Sequence, residues 1–176
     1  PLLIEKIVKG KVMPTLSKQP IKTLVKIPLL NQIVYKKVRT QLMEAFGGAL
    51  TELIMGGAAL NSDVEKLLKK IKLPYTVGYG MTECAPLISF EVPTAFKPGS
   101  CGRVLPELLE ARIESRDPQN IPGELLIRGE HVMKGYYKNE TATNAVLEGE
   151  WLHTGDMCTM DEDGTLYIRG RCKTMI

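Results

Sequence analysis

Two short apolar runs, each ending in a loop of very small residues and joined by one well-marked helix, constrain this chain more than any other feature. Leu50 to Met55 is largely apolar and ends at Gly56-Gly57-Ala58-Ala59. Tyr75-Thr76-Val77-Gly78-Tyr79 runs into Gly78-Tyr79-Gly80-Met81-Thr82-Glu83. Between them, Ser62-Asp63-Val64-Glu65 fits a capping box. Val64, Leu67, Leu68 and Ile71 then recur at helical spacing, Lys66, Lys69, Lys70 and Lys72 fall on the other side, and Pro74 closes the segment. Strand, loop, helix and strand in this order predict a βαβ unit with a right-handed crossover. The apolar character of Leu50–Met55 predicts a buried, parallel strand.

The flanking segments read differently. Pro14, Pro20 and Pro28 predict short helical turns and no long helix before residue 30. Residues 31–46 keep a 3.6-residue period through Ile33, Val34, Val38, Leu42, Ala45 and Phe46, with Asn31 as the cap and Gly47-Gly48 as the stop. After about residue 97, short β-like runs alternate with turn signals: Leu108–Ile113, Glu124–Arg128, Trp151–Cys158 and Thr165–Arg169. The fold class expected is therefore α/β: a partial parallel-sheet subdomain flanked by helices over residues 1–96, then a small distorted antiparallel β-barrel over 97–169. The boundary falls near Phe96–Gly99.

Composition narrows the partners. With 23 Lys+Arg against 20 Asp+Glu, the net charge of +3 is too small to indicate nucleic acid, and none is expected. The charge is uneven, however. Lys6, Lys9, Lys11, Lys18, Lys22, Lys26, Lys36, Lys37 and Arg39 face only Glu5 within residues 1–40, a net of +8. These basic residues, 6–39, are either a solvated face or a surface for anionic lipid headgroups or ligand phosphates. Cys84, Cys101, Cys158 and Cys172 lack CxxC spacing, and His131 and His153 complete no zinc pattern. Free thiols in a reducing compartment follow. No apolar run reaches the roughly 18 residues of a membrane span. A cytoplasmic location, with peripheral contact at the inner membrane surface through the basic segment, is the expectation.

The chemistry concentrates in four stretches. Gly57, Ala58 and Ala59 present almost no side chain at the carboxyl end of a strand, where open α/β sheets bind ligands. In Gly78–Glu83, the glycines allow close backbone approach. The Tyr79 ring can carry a stacked base, worth about 1–3 kcal/mol per base. Thr82 offers a hydroxyl to phosphate, and Glu83 offers a hard carboxylate suited to Mg²⁺. In Trp151-Leu152-His153-Thr154-Gly155-Asp156, the carboxylate of Asp156 can accept from two ribose hydroxyls, while His153 reads as a packed structural residue. In Gly170-Arg171-Cys172-Lys173, Arg171 can meet ribose or phosphate.

GYGMTE, GELLIRGEHVMKGYYKNETAT, WLHTGD and YIRGRCKTMI occur in this order. Together they resemble the later core motifs of the adenylate-forming, AMP-binding superfamily, over roughly residues 53–176. The GRCKTMI ending is most similar to bacterial long-chain fatty-acid–CoA ligases. That resemblance implies activation of a fatty acid by ATP to acyl-AMP and pyrophosphate, then displacement of AMP by coenzyme A. It implies Thr82 and Glu83 as catalytic residues, with Glu83 also holding Mg²⁺. It implies ATP or AMP contacts from Gly57, Ala58, Ala59, Gly78, Tyr79, Gly80, Met81, Asp156 and Arg171. Residues 170–176 become the start of a hinge centred on Lys173, leading to a lid domain. Met81, Cys84, Ala85, Pro86 and Leu87 are candidates to border the acyl pocket. The family's [ST]-G-T-[ST]-G-x-P-K phosphate loop does not occur in the 176 residues, so the chain reads as an internal piece, inactive by itself. Alternatives are a ligase for a short-chain, aryl or amino acid, and a non-catalytic nucleotide-binding fragment.

Overall fold

The structure, a computed structural model, describes residues 1–172; Lys173 lies outside the described residues. The chain divides into two compact units, Pro1–Tyr75 and Thr76–Ile176.

The first unit is mainly helical. Helices α1 (Leu2–Ile7) and α2 (Met13–Ser17) are joined by a π-helical segment, Val8–Val12. Helix therefore runs without a break from Leu2 to Ser17, through Pro14, where only short turns were expected. The wider π turn precedes Pro14, and such turns are a usual site of the rearrangement that a proline's missing N–H and bulky ring require. After α3 (Ile21–Leu24) comes α4 (Leu30–Ala45). Its N-cap is Leu29, at φ 73° and without a side-chain hydrogen bond, so Asn31 sits inside the helix and is not the cap. Strand β1 is only Leu53–Met55.

Helix α5 (Ser62–Lys70) starts one residue earlier than the capping box implied: Asn61 Oδ1 accepts from the Asp63 and Val64 amides at 3.1 and 3.3 Å. Its apolar stripe behaves as expected. Val64, Leu67, Leu68 and Ile71 are buried, and Lys66, Lys69, Lys70 and Lys72 are exposed. Strand β2 (Tyr75–Val77) follows and joins β1 in a parallel two-stranded sheet, with the Leu53 amide donating to the Pro74 carbonyl at 2.9 Å.

In the second unit Gly78 ends β2, and the Tyr75–Tyr79 strand read from sequence is in fact two. Strand β3 (Tyr79–Gly80) belongs to another sheet, antiparallel with β4 (Leu87–Phe90), which pairs with β5 (Arg103–Val104). The segment after Gly78 thus pairs forward along the chain, and the change expected near Phe96–Gly99 falls inside this unit. The larger sheet orders β10 (Leu166–Arg171), β9 (Trp151–Met160), β7 (Gly123–Gly129) and β6 (Leu109–Glu114), with β8 (Leu147–Glu148) on β9. Bulges interrupt β9 on both sides. The two sheets touch where Arg103 bridges to Thr165, but among the described residues they do not close into a barrel. Asn139 Oδ1 accepts from the Ala142 amide and caps α6 (Glu140–Asn144). Ile88, Leu109, Ile113, Leu125, Ile127, Leu152 and Leu166 form the core beneath both sheets. Cys84 is fully buried among them and packs the core.

Candidate functional site

Tyr79 and Asp156, 77 residues apart, meet in the second unit: the phenol donates to Asp156 Oδ2 at 2.6 Å. Arg171 Nη1 is 3.0 Å from the other oxygen, Oδ1. The sheet makes the second contact, because Arg171 and Asp156 are direct partners in the β10–β9 ladder, and facing side chains on an antiparallel pair lie within reach of each other. Asp156 is only 6% exposed. A buried carboxylate is stable when it is paired and hydrogen-bonded, and here both oxygens are engaged. Burial, and then the hydrogen bond to Asp156, push the Tyr79 phenol well above the usual tyrosine range. The phenol therefore stays protonated as the donor, and its hydroxyl fixes the ring.

The local chain explains how Asp156 comes to point inward. Alternate residues of β9, from Leu152 through Thr154 and Asp156 to Cys158, are buried. Gly155, at φ +70°, occupies the left-handed region that only glycine enters freely. Thr154 Oγ1 donates to the Leu125 carbonyl at 2.8 Å and accepts from the Asp156 amide at 3.1 Å. His153 is held between two carboxylates, with Nδ1 3.0 Å from Glu124 and Nε2 3.3 Å from Glu148. The Glu124 hydrogen bond, foremost, raises its pKa above 6.5. The two carboxylates thus fix the His153 ring.

Thr82, Glu83 and Cys84 form a single 3₁₀ turn after β3. Thr82 is exposed and Glu83 half-buried. Two groups from one distant segment hold Glu83: the Tyr136 hydroxyl donates to its Oε1 at 2.8 Å, and the Met133 amide donates to its carbonyl at 2.8 Å. The hydrogen bond to Glu83 raises the Tyr136 phenol above its ordinary value of 10. Among the described residues no group of three His, Cys, Asp or Glu side chains could by itself hold a metal ion.

The glycines of this loop serve the fold. A Cβ on Gly80 would lie 1.9 Å from the Pro86 carbonyl oxygen, and one on Gly78 would lie 3.1 Å from that of Ser89. Met81 is partly buried against the core. Gly57, Ala58 and Ala59 belong to the first unit, as an exposed turn after β1. Tyr136 and Glu124 were missed as functional candidates. Both lie in GELLIRGEHVMKGYYKNETAT, which the sequence marked only as a block, and nothing in its spacing ties either residue to Glu83 or Gly155.

A profile of AMP-binding enzymes matches residues 9–137. The chain is 37% identical over 161 residues to 4-coumarate-CoA ligase 2 of Narcissus pseudonarcissus, covering 82% of this chain and 28% of that protein. Its structure is similar to the AMP complex of O-succinylbenzoate coenzyme A synthetase from Bacillus subtilis, with a TM-score of 0.65 and 28% identity over 80% of this chain and 31% of the other. It is also similar to a putative long-chain-fatty-acid CoA ligase of Rhodopseudomonas palustris, with a TM-score of 0.56 and 28% identity over 68% of this chain and 31% of that one. The chain spans less than a third of the length of each of these proteins. With the motif segments folded together and the profile matched over most of its residues, the chain belongs to the AMP-binding enzyme family.

Proposed function

We propose that this chain forms the nucleotide-facing part of an acid–CoA ligase, which joins a carboxylic acid to AMP and then passes the acyl group to coenzyme A. The observation that carries this reading is the Tyr79–Asp156–Arg171 cluster: a ring fixed through its hydroxyl, and a buried carboxylate with a cation beside it. Asp156 accepts from the ribose hydroxyls, Tyr79 carries the adenine, and Arg171 lies within reach of ribose or α-phosphate. Thr82, exposed at the turn, donates to a phosphate oxygen. Gly57, Ala58 and Ala59 line the adenine edge, and Lys173 is the hinge. No β-γ phosphate grip is assigned to these residues.

Magnesium fits the donor set at Glu83. Mg²⁺ usually takes one or two carboxylates and completes its shell with phosphate oxygens and water, and Glu83 is a single carboxylate oriented by Tyr136. Bound there, the ion would neutralise phosphate charge during transfer, a step that depends mainly on positioning and electrostatics. Arg171 and the Thr82 hydroxyl would add to that neutralisation.

For the acid, the GRCKTMI ending and the similarity to a putative long-chain ligase support a long-chain fatty acid. The 4-coumarate ligase similarity favours an aryl acid as the second reading. Pocket discrimination per methylene is modest, so side-by-side turnover in a full-length ligase containing this chain decides: CoA-dependent AMP release with palmitate or with 4-coumarate as the only acid. Faster turnover of palmitate is expected, and turnover of 4-coumarate alone would replace the long-chain reading. The cluster itself is tested by AMP affinity. Hydrogen bonds to charged groups contribute about 1.5–3 kcal/mol each, so Asp156→Ala is expected to weaken AMP binding at least about tenfold. Unchanged affinity would reduce Asp156 to a structural residue.

Among the described residues no helix is long and apolar enough to cross a membrane. The basic residues between Lys6 and Arg39 remain our candidate for peripheral contact with anionic lipid.

A further inference from the structure

The ladder between β7 and β9 breaks next to Asp156. Glu124 pairs with Met157, and the next pair is Leu126 with His153. Thr154, Gly155 and Asp156 therefore bulge opposite Leu125 alone. A bulge leaves backbone N–H groups without their ladder carbonyls, and a buried N–H needs a partner. Two side chains supply them. Thr154 Oγ1 accepts from the Asp156 amide at 3.1 Å, and Glu124 Oε1 accepts from the Gly155 amide at 2.9 Å. The second carboxylate oxygen of Glu124, Oε2, is 3.0 Å from His153 Nδ1. One side chain thus grips the residues on both sides of Thr154. Its own side chain is 22% exposed, so water competes weakly for these bonds.

We infer that Glu124 is a positioning residue for the nucleotide site: through the Gly155 amide and the His153 ring it sets the bulge that aims Asp156 at its partners. The inference rests on reading Asp156 as the ribose acceptor. Glu124 touches no substrate and acts through the backbone. Without it, Gly155 can relax from φ +70°, and the backbone that carries Asp156 loses the fixed bulge that sets where its side chain sits. Asp156 would then leave Tyr79 and Arg171. A carboxylate suits the task because a charged acceptor bonds roughly twice as strongly as a neutral one. Glutamine keeps a carbonyl oxygen at the same reach and should hold the Gly155 amide, whereas alanine removes the acceptor.

The experiment compares the wild-type chain with Glu124→Gln, Glu124→Ala and Asp156→Ala by two readouts. One is hydrogen exchange at the Gly155 amide followed by NMR, and the other is AMP affinity by calorimetry. Glu124→Ala should speed Gly155 exchange and weaken AMP binding, each by about tenfold, which corresponds to about 1.4 kcal/mol. Glu124→Gln should restore both to within about threefold, as expected when a charged acceptor becomes a neutral one. Asp156→Ala should lose AMP while leaving Gly155 protected. Should Glu124→Ala not fold, Glu124→Asp replaces it, because its carboxylate is one methylene short of the Gly155 amide. Unchanged Gly155 exchange in Glu124→Ala overturns the inference. So does faster exchange with unchanged AMP affinity, provided that Asp156→Ala has lost AMP. If Asp156→Ala binds AMP as wild type does, the nucleotide reading falls, and the displacement of Asp156 in Glu124→Ala is then judged from its carboxyl ¹³C shift. An unmoved shift overturns the placement of Asp156 by Glu124.

Discussion

The loops Gly56–Ala59 and Gly78–Glu83 look alike in sequence, yet their glycines answer different constraints. Gly57 sits at φ +80°, and a Cβ there would meet nothing within 4 Å. Its requirement is the backbone torsion alone, and the space beside it is open. Gly80 has an unremarkable torsion but no room. The Met81 amide donates to the Pro86 carbonyl at 2.8 Å, and that hairpin brings the Pro86 oxygen to 1.9 Å from where a Cβ would sit. A small residue after a strand therefore signals that a side chain is unwelcome without saying what excludes it. In the first loop the missing side chain leaves open space beside the backbone; in the second, the chain's own hairpin fills the gap.

Alanine substitutions separate the two causes. Gly80→Ala should be the more damaging, because backbone rather than a flexible side chain must move; we expect about 3 kcal/mol or more, at the upper end of overpacking costs. Gly57→Ala should cost about 1–2 kcal/mol, the penalty for an L-residue in the left-handed region. Denaturant unfolding of both variants measures this. Equal costs would erase the distinction, and a Gly80→Ala variant near wild type would mean that the β3–β4 hairpin opens easily.

Much of this was legible from the amino-acid order, for stated reasons. Helix α5 was read correctly because four apolar residues at helical spacing all reach the first unit's core. Its cap was off by one residue, since Asn61 and Ser62 are both good caps and only geometry chooses between them. The split of Tyr75–Tyr79 into two strands was hidden, because β3 is two residues long and takes its identity from pairing with Leu87–Phe90. The run of helix through Pro14 was hidden because a π turn leaves no composition signal. Tyr79 and Asp156 each stood out within a motif, but their hydrogen bond spans 77 residues and no local pattern encodes it. Tyr136 and Glu124 act on Glu83 and Gly155 across gaps of 53 and 31 residues, so only the fold identifies them.

The smallest expected effect concerns what anchors each loop, and it differs in the sign of its pH dependence. At the end of the first loop, the Asn61 amide donates to Glu5 Oε1 at 2.8 Å. That hydrogen bond is the main cause holding the Glu5 carboxyl below 4.5; Lys9, 3.2 Å away, and the chain's amino group add to it. A carboxyl with a depressed folded pKa contributes stability above its unfolded pKa and loses it as the pH falls through the folded value. At the end of the second loop, the donor to Glu83 is the Tyr136 phenol, whose pKa is raised above 10. A raised folded pKa means the reverse: the contribution is complete below 10 and is lost as the pH climbs through the folded value. The first anchor should therefore release in acid and the second in alkali. Exchange at the Asn61 amide should accelerate below pH 4.5 in the wild type, and Glu5→Gln should remove that dependence. Tyr136→Phe should abolish an alkaline loosening of the Thr82–Cys84 turn and leave the acid response of Asn61 untouched. Tyr136 is 37% exposed and the Glu5 side chain 17%, so added salt should shrink the Tyr136 shift more than the Glu5 shift. If Glu5→Gln leaves the acid response in place, the Asn61 hydrogen bond is not what orders the first loop, and the likeness between the two anchors ends there.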